Sequence, residues 1–155
     1  MVVPFQSIED EVLASLQDYL ESGRLAVMGK ADPVFEALGA AFPVPINRIA
    51  FWDIPGHMKG GGDRGPDVQQ AFAAFVRGIV QRDGLGGEIV AIGDNFVNVA
   101  IRGNIEDVLE AMPMIAAFPQ HTYLCPFPNP SWCASLTFEG DFYFAYAPTE
   151  IRTVP

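Results

Sequence analysis

The sequence predicts one α+β domain, 1–155, built on a largely antiparallel sheet with helices packed mainly on one face. Three observations carry that expectation. Apolar positions recur at helical spacing early in the chain and again in its middle. Runs rich in β-branched and aromatic residues, separated by short turn signals, crowd the second half, and such hairpins imply antiparallel neighbours because parallel ones need crossovers of about a dozen residues or more. The 155 residues, 50% hydrophobic, suit a single core, with no internal repeat or linker to divide them.

Taken in order, Ser7 is placed to cap a helix whose apolar face is Ile8, Val12, Leu16, Tyr19 and Leu20, with Gly23 as its stop. Arg24 to Gly29 reads as a short strand. Asp32-Pro33, a cap followed by a first-turn proline, opens a helix through Ala41 that Pro43 and Pro45 end. Ile46 to Ile54 alternates as a strand covered on both faces would. After a glycine-rich loop, Asp67 looks like the cap of the clearest helical stripe, Val68, Ala71, Phe72, Phe75, Val76, Ile79 and Val80. Glu88 to Ile92 and Phe96 to Arg102 form a hairpin about Gly93-Asp94-Asn95, and Asn104 caps a further helix that Pro113 ends or kinks. His121 to Cys125, Trp132 to Glu139 and Phe142 to Tyr146 complete the strands, with Gly140-Asp141 as a two-residue turn.

Charge narrows the function classes. Nineteen Asp and Glu against nine Lys and Arg leave a net charge of −10, divided as −5 over residues 1–55, zero over 56–103 and −5 over 104–155. Phosphate recognition depends on clustered bases, so a nucleic-acid partner is not expected, and neither is an anionic membrane surface. A basic protein is the natural partner. The first residues, Met1-Val2-Val3-Pro4-Phe5, lack the basic and apolar regions of an export signal, and no apolar run is long enough to span a bilayer, so a cytoplasmic location is expected.

The loop from Gly56 to Gly65, with His57, Lys59 and Arg64, follows a strand and precedes a helix, where anion cradles lie. It contains a G-x-G-x-x-G match at Gly60, Gly62 and Gly65, but Pro66 and Asp67 occupy the place where free amides would meet a pyrophosphate, and the P-loop spacing is missing. Metal binding is not expected: His121 and Cys125, four apart on a strand, would have tips about 13 Å apart. There is no nucleophile elbow, and a hairpin centred on Asn129 would set Cys125 opposite Cys133, giving neighbouring reduced thiols and no thiol beside a base. No catalytic residue, cofactor or metal ligand is therefore assigned.

Several acids have local reasons. Glu9, Asp10 and Glu11, like Glu106 and Asp107, fall in first helical turns, where the dipole favours them, and Asp32 and Asp67 read as caps. Asp18, Glu21, Glu110, Glu139 and Asp141 have no such reason, which makes them the candidates for a partner's lysines and arginines. With Glu139 opposite Phe142, one face of the last hairpin carries Trp132, Ala134, Leu136, Phe138, Tyr143 and Ala145 as core. The other carries Ser131, Cys133, Ser135, Thr137, Glu139, Phe142, Phe144 and Tyr146, a mixture suited to half-exposed protein contact. The stiff Pro126-Phe127-Pro128-Asn129-Pro130 loop beside it presents Phe127.

The stretch His121-Thr122-Tyr123-Leu124 and then Ser131-Trp132-Cys133-Ala134-Ser135-Leu136-Thr137-Phe138-Glu139-Gly140-Asp141-Phe142, a W-x-x-x-x-x-x-E-G-D-like strand and turn, resembles the ending of some small bacterial immunity proteins of contact-dependent growth inhibition and other polymorphic toxin systems. The resemblance covers about a third of the chain. It implies a cytosolic, non-enzymatic α+β protein that binds a cognate toxin domain, with no residue role to transfer. Together with the charge, it points to an immunity or inhibitor-type protein that neutralises a basic partner such as a nuclease domain, as a monomer or homodimer, through Asp18, Glu21, Glu110, Phe127, Glu139 and Asp141. A small enzyme or ligand-binding module using loop 56–65 as cradle or lid is the alternative, and an aromatic homo-oligomer interface a third reading.

Overall fold

The computed structural model describes residues 7–45, 48–61, 67–94, 98–118 and 120–148. Among them, seven strands, β1 (Leu25–Lys30), β2 (Met58–Gly61), β3 (Glu88–Gly93), β4 (Val99–Asn104), β5 (Thr122–Cys125), β6 (Trp132–Leu136) and β7 (Asp141–Tyr146), form one sheet in the order β1-β4-β3-β5-β6-β7-β2, every pair antiparallel. Six helices among the described residues accompany it: α1 (Ile8–Ser15), α2 (Gln17–Glu21), α3 (Asp32–Ala41), α4 (Val68–Asp83), α5 (Ile105–Glu110) and α6 (Met112–Ile115). The fold is α+β, as the hairpin pattern requires.

Strand alternation divides the core in two. Ile89, Ala91, Ile101, Leu124, Trp132, Ala134, Leu136, Phe142 and Phe144 pack under α1, α4, α5 and α6. The intervening Val90, Ile92, Ala100, Tyr123, Cys125, Cys133, Tyr143 and Ala145 pack under α3 and the irregular segment that follows it, where Ile49, Phe51 and Ile54 are buried. Both faces are thus covered, which explains why the central strands are buried along nearly their whole length.

Local signals operate where expected. Ser7 Oγ accepts the Asp10 amide at 3.1 Å, and Asn104 Oδ1 accepts that of Glu106 at 3.0 Å. The first helix breaks at Leu16, so the predicted single helix is two, α1 and α2. The N-cap of α3 is Ala31 and not Asp32, with Pro33 in its first turn; Asp67 stands at the N-cap of α4 but its side chain makes no capping bond. At the other end of α4, Arg82 and the Tyr146 hydroxyl both bond to the Asp83 carboxylate, tying the helix to β7. Those bonds, Arg82's first, hold the Asp83 carboxyl down at about 2, and burial beside that anion pushes the Tyr146 phenol up to about 12.

Three expectations are corrected. The strand predicted at Ile46 to Ile54 is not one: the Ala50 amide turns back to the Pro43 carbonyl at 2.9 Å, and Phe51–Asp53 forms a single 3-10 turn. Its Ile46 and Asn47 lie outside the described residues, as do residues 95–97 of the β3-β4 connection. The glycine-rich loop is partly strand, because Met58–Gly61 pairs with β7 as the sheet's last strand. A Cβ at Gly61 would stand 2.6 Å from the Gly140 carbonyl oxygen, so the close approach of β2 to the last turn needs glycine there. Residues 62–66, with Arg64, lie outside the described residues.

The third correction concerns register. Trp132 pairs with Tyr146 and Leu136 with Phe142, so Phe142 and Phe144 share the face of Trp132 and Ala134, while Tyr143 and Ala145 lie with Cys133. The two-residue turn is instead the four residues Thr137–Gly140, closed by the Gly140 amide on the Thr137 carbonyl at 3.0 Å, with Gly140 at φ +89°. That left-handed backbone favours glycine. The face expected to be half-exposed is covered, and Ser135 is buried there. Phe138, expected in the core, projects from the turn 55% exposed.

Candidate functional site

The six residues proposed for partner binding fall in three places. Asp18 and Glu21 lie exposed on α2, where Gln17 Nε2 donates to Glu21 Oε1 at 2.8 Å. Glu110 is near them on α5, but it has structural work to do: with Asp107 it grips the Arg24 guanidinium, whose carbon stands 4.5 Å over the Tyr19 ring. Arg24 Nη2 is 2.8 Å from Asp107. Burial, and next the Glu110 charge, raise the Tyr19 phenol, while the bonds from Asp107 and then Glu110 raise Arg24. This clasp joins the α2-β1 junction to α5.

Glu139 and Asp141 sit elsewhere. The clasp lies where β1 begins and β4 ends, beside Leu25 and Gly103; the Thr137–Gly140 turn lies at the opposite end of the sheet, beyond the Thr122–Leu136 pair. β1 and β6 are also four strand spacings apart in the sheet order, about 19 Å. The acids occupy diagonal corners and do not make one surface. Phe127 is at neither: it packs half-buried on the second core, lining a groove with Met28, Val90, Arg102 and Pro128 at the Glu88 end of β3. The bond between Phe127 and Pro128 is cis.

What surrounds Glu139 could not be placed from sequence. Its carboxylate faces Arg48 at 3.8 Å, and the Arg48 guanidinium carbon lies 5.4 Å from the centre of the Trp52 ring. Trp52 is 50% exposed, the other tryptophan, Trp132, being buried. Phe51, one residue before Trp52, stacks on Tyr143 with centroids 5.3 Å apart, and the amides of Asp53 and Ile54 bond back to Ala50 and Phe51, fixing the 3-10 turn to the sheet. Opposite, the turn carrying Phe138 and Glu139 is pinned by Thr137 Oγ1 accepting the Asp141 amide at 3.0 Å and by the Phe138 amide donating to His121 Nδ1 at 3.2 Å. The His121 amide in turn donates to Asp94 Oδ1. These contacts bring Trp52, Arg48 and Glu139 to one corner. Phe138 also borders a cleft of about 270 Å3 walled by Val68, Ala116, Phe118 and Leu136, with Gln69 and Gln120 as its polar groups.

Trp52 and Arg48 are the residues of this corner that sequence reasoning missed. The prolines at 43 and 45 were the available signal, since they argue against a strand continuing into Trp52.

The chemical groups named from sequence do not converge. Cys125 and Cys133 are free and buried; the β5-β6 register, continued by one pair, sets them opposite each other as the spacing about Asn129 predicts. Burial lifts the Cys125 thiol to about 12 and, with its neighbour's charge, pushes Cys133 well above the usual range, so neither is a nucleophile at neutral pH. His57 Nδ1 meets the Ile54 carbonyl at 2.8 Å, and Lys59 Nζ stands 5.7 Å from the Tyr143 ring centre. No group of three or more His, Cys, Asp or Glu among the described residues is placed to hold a metal ion. No helix among them is long and apolar enough to cross a membrane. Compared with known protein families, curated proteins and solved structures, the chain matches none.

Proposed function

We propose that the chain is a bacterial immunity or inhibitor-type protein that acts in the cytoplasm by binding and neutralising a basic protein partner, a toxin domain such as a nuclease. The observation that carries this reading is where the positive charge goes. All five arginines among the described residues, Arg24, Arg48, Arg77, Arg82 and Arg102, lie within ion-pair distance of the chain's own acids. The excess that remains is acidic, and the five acids ahead of Arg24 have no base among them in sequence. A field of that sign speeds encounter with a basic partner, while aromatic anchors supply affinity. In the ligand-module alternative, four of the ten residues of loop 56–65, Met58–Gly61, pair in the sheet.

The test is direct. The purified protein is titrated with the product of the adjacent gene at low and at high salt. Tight binding whose association rate falls with salt is expected, and an absence of binding at any salt concentration overturns the proposal.

A further inference from the structure

We propose that the cleft between the start of α4, the end of α6 and the Thr137–Gly140 turn receives an aromatic side chain of the basic partner. This rests on the basic-partner reading above and adds where the partner anchors and by what kind of side chain.

The cleft is held in shape by bonds between the elements that build it. Gln69 Nε2, in the first turn of α4, donates to the Ala116 carbonyl at 3.0 Å, tying α4 to the residue that follows α6. The turn that completes the cleft is closed by the Asp141 amide on Thr137 Oγ1, the Gly140 amide on the Thr137 carbonyl and the Phe138 amide on His121 Nδ1. Gln120 is buried, with its amide against Gly93, where a Cβ would collide with it. A site ordered in advance loses little entropy on binding.

Size and lining select the guest. At about 270 Å3 the cleft falls just below the roughly 300–1,000 Å3 of pockets for drug-sized ligands, and no charged side chain among the described residues lines it to hold an ionic metabolite. One large side chain is the better match. Phe138 lines the cleft and, at 55%, is the most exposed large apolar residue among those described, so an aromatic guest meets its ring stacked or edge-on. Gln69 Oε1, which the bond to Ala116 does not use, suits the positive edge of such a ring. Charge decides where the guest comes from. Asp67, Glu139 and Asp141 each adjoin a lining residue in the chain, and no lysine or arginine does. Arg48 engages Glu139, whereas the Asp67 side chain makes no capping bond. A second copy would bring its own net charge of −10 to these acids and be repelled, while a basic segment is attracted.

The full chain is titrated at low salt with a short peptide carrying one tryptophan between lysine pairs, and with its alanine counterpart, while backbone amide resonances are followed. The tryptophan peptide is expected to bind about tenfold tighter and to move the amides of Gln69, Ala117 and Gly140. Ala117 and Phe138 are both exposed lining residues, so Ala117→Trp, which fills the cleft, and Phe138→Ala, which removes a wall, should each keep the wild-type melting temperature and lose that preference. Val44→Ala, which trims an exposed apolar residue outside the cleft, should keep it. Equal binding of the two peptides, or a preference that survives in both cleft variants, overturns the proposal. So does a wild-type dimer that Ala117→Trp dissociates, which would make the cleft a self-interface. The two readings also separate on the adjacent gene's product: if it binds wild type and Ala117→Trp equally well, the cleft is wrong and the basic partner stands; if it binds neither while the peptide preference holds, the cleft stands and the toxin reading fails.

Discussion

Two corners of the sheet are built from the same parts and closed to different degrees. At one, Arg24 lies over Tyr19 and is gripped by two acids, Asp107 and Glu110; at the other, Arg48 lies over Trp52 and meets one acid, Glu139, at 3.8 Å. The first joins three elements and leaves Arg24 few donors to offer. The second leaves the Trp52 indole half-exposed. An arginine, an aromatic ring and an acid thus close tightly when a second acid completes the fork, and more loosely where Arg48 stands 3.8 Å from Glu139. The lesson bears on the six residues chosen from sequence: Glu110 looked unassigned only because its partner, Arg24, is 86 residues away in the chain.

The largest expected effect tests the sheet on which both corners depend. Phe144 is fully buried, between Trp132 and Tyr146, and Phe144→Ala is expected to cost about 3–5 kcal/mol in denaturant unfolding; a cost below about 1 kcal/mol would mean that β6 and β7 do not carry the corners as described. Next is the cap of the helix that presents both clasp acids. Asn104→Ala should lose about 1 kcal/mol, whereas Asn104→Asp, which keeps an acceptor, should stay near wild type. The comparison itself is decided by a matched pair: Arg24→Ala should lower the melting temperature and Arg48→Ala leave it nearly unchanged. The reverse order would show that the closed corner is not the structural one.

The smallest effect is on acid stability. Asp83 has a carboxyl lowered from its ordinary 3.8 to about 2 in the folded chain, so it stabilises above the ordinary value and that contribution disappears as pH falls toward 2. Melting curves of Asp83→Asn between neutral pH and pH 2 should show a shallower fall than wild type. Coincident curves would show that the bonds from Arg82 and Tyr146 add nothing to folding.

Much of the scaffold was legible because it is locally determined. Ser7 and Asn104 cap as their types suggest, the stripe from Val68 to Val80 forms α4, and the symmetry of Cys125 and Cys133 about Asn129 gave the β5-β6 register. The failures share a cause. Alternation from Ile46 to Ile54 mimics a strand because Ile49, Ala50, Phe51 and Ile54 are all buried, yet the backbone there bonds to Pro43 and into a 3-10 turn. Met58–Gly61 was unreadable because glycines carry no β signal and only β7 draws them into the sheet. The last turn holds four residues where two were expected, and an odd change in register moved Phe142 and Phe144 to the other face. The candidate site suffered most, since Arg48 and Trp52 lie on one of those misjudged segments and Glu139, which Arg48 faces, lies on another.

The bulge in β1, where pairing with β4 skips Met28, has a consequence for how copies of the chain behave when crowded. β1 is one border of the sheet and the four-residue β2 the other, and neither gives a long, straight row of free amides and carbonyls. A neighbouring molecule therefore finds only a bulged or a short edge among the described residues on which to extend the sheet. Edge-to-edge pairing between copies is thereby disfavoured along both borders.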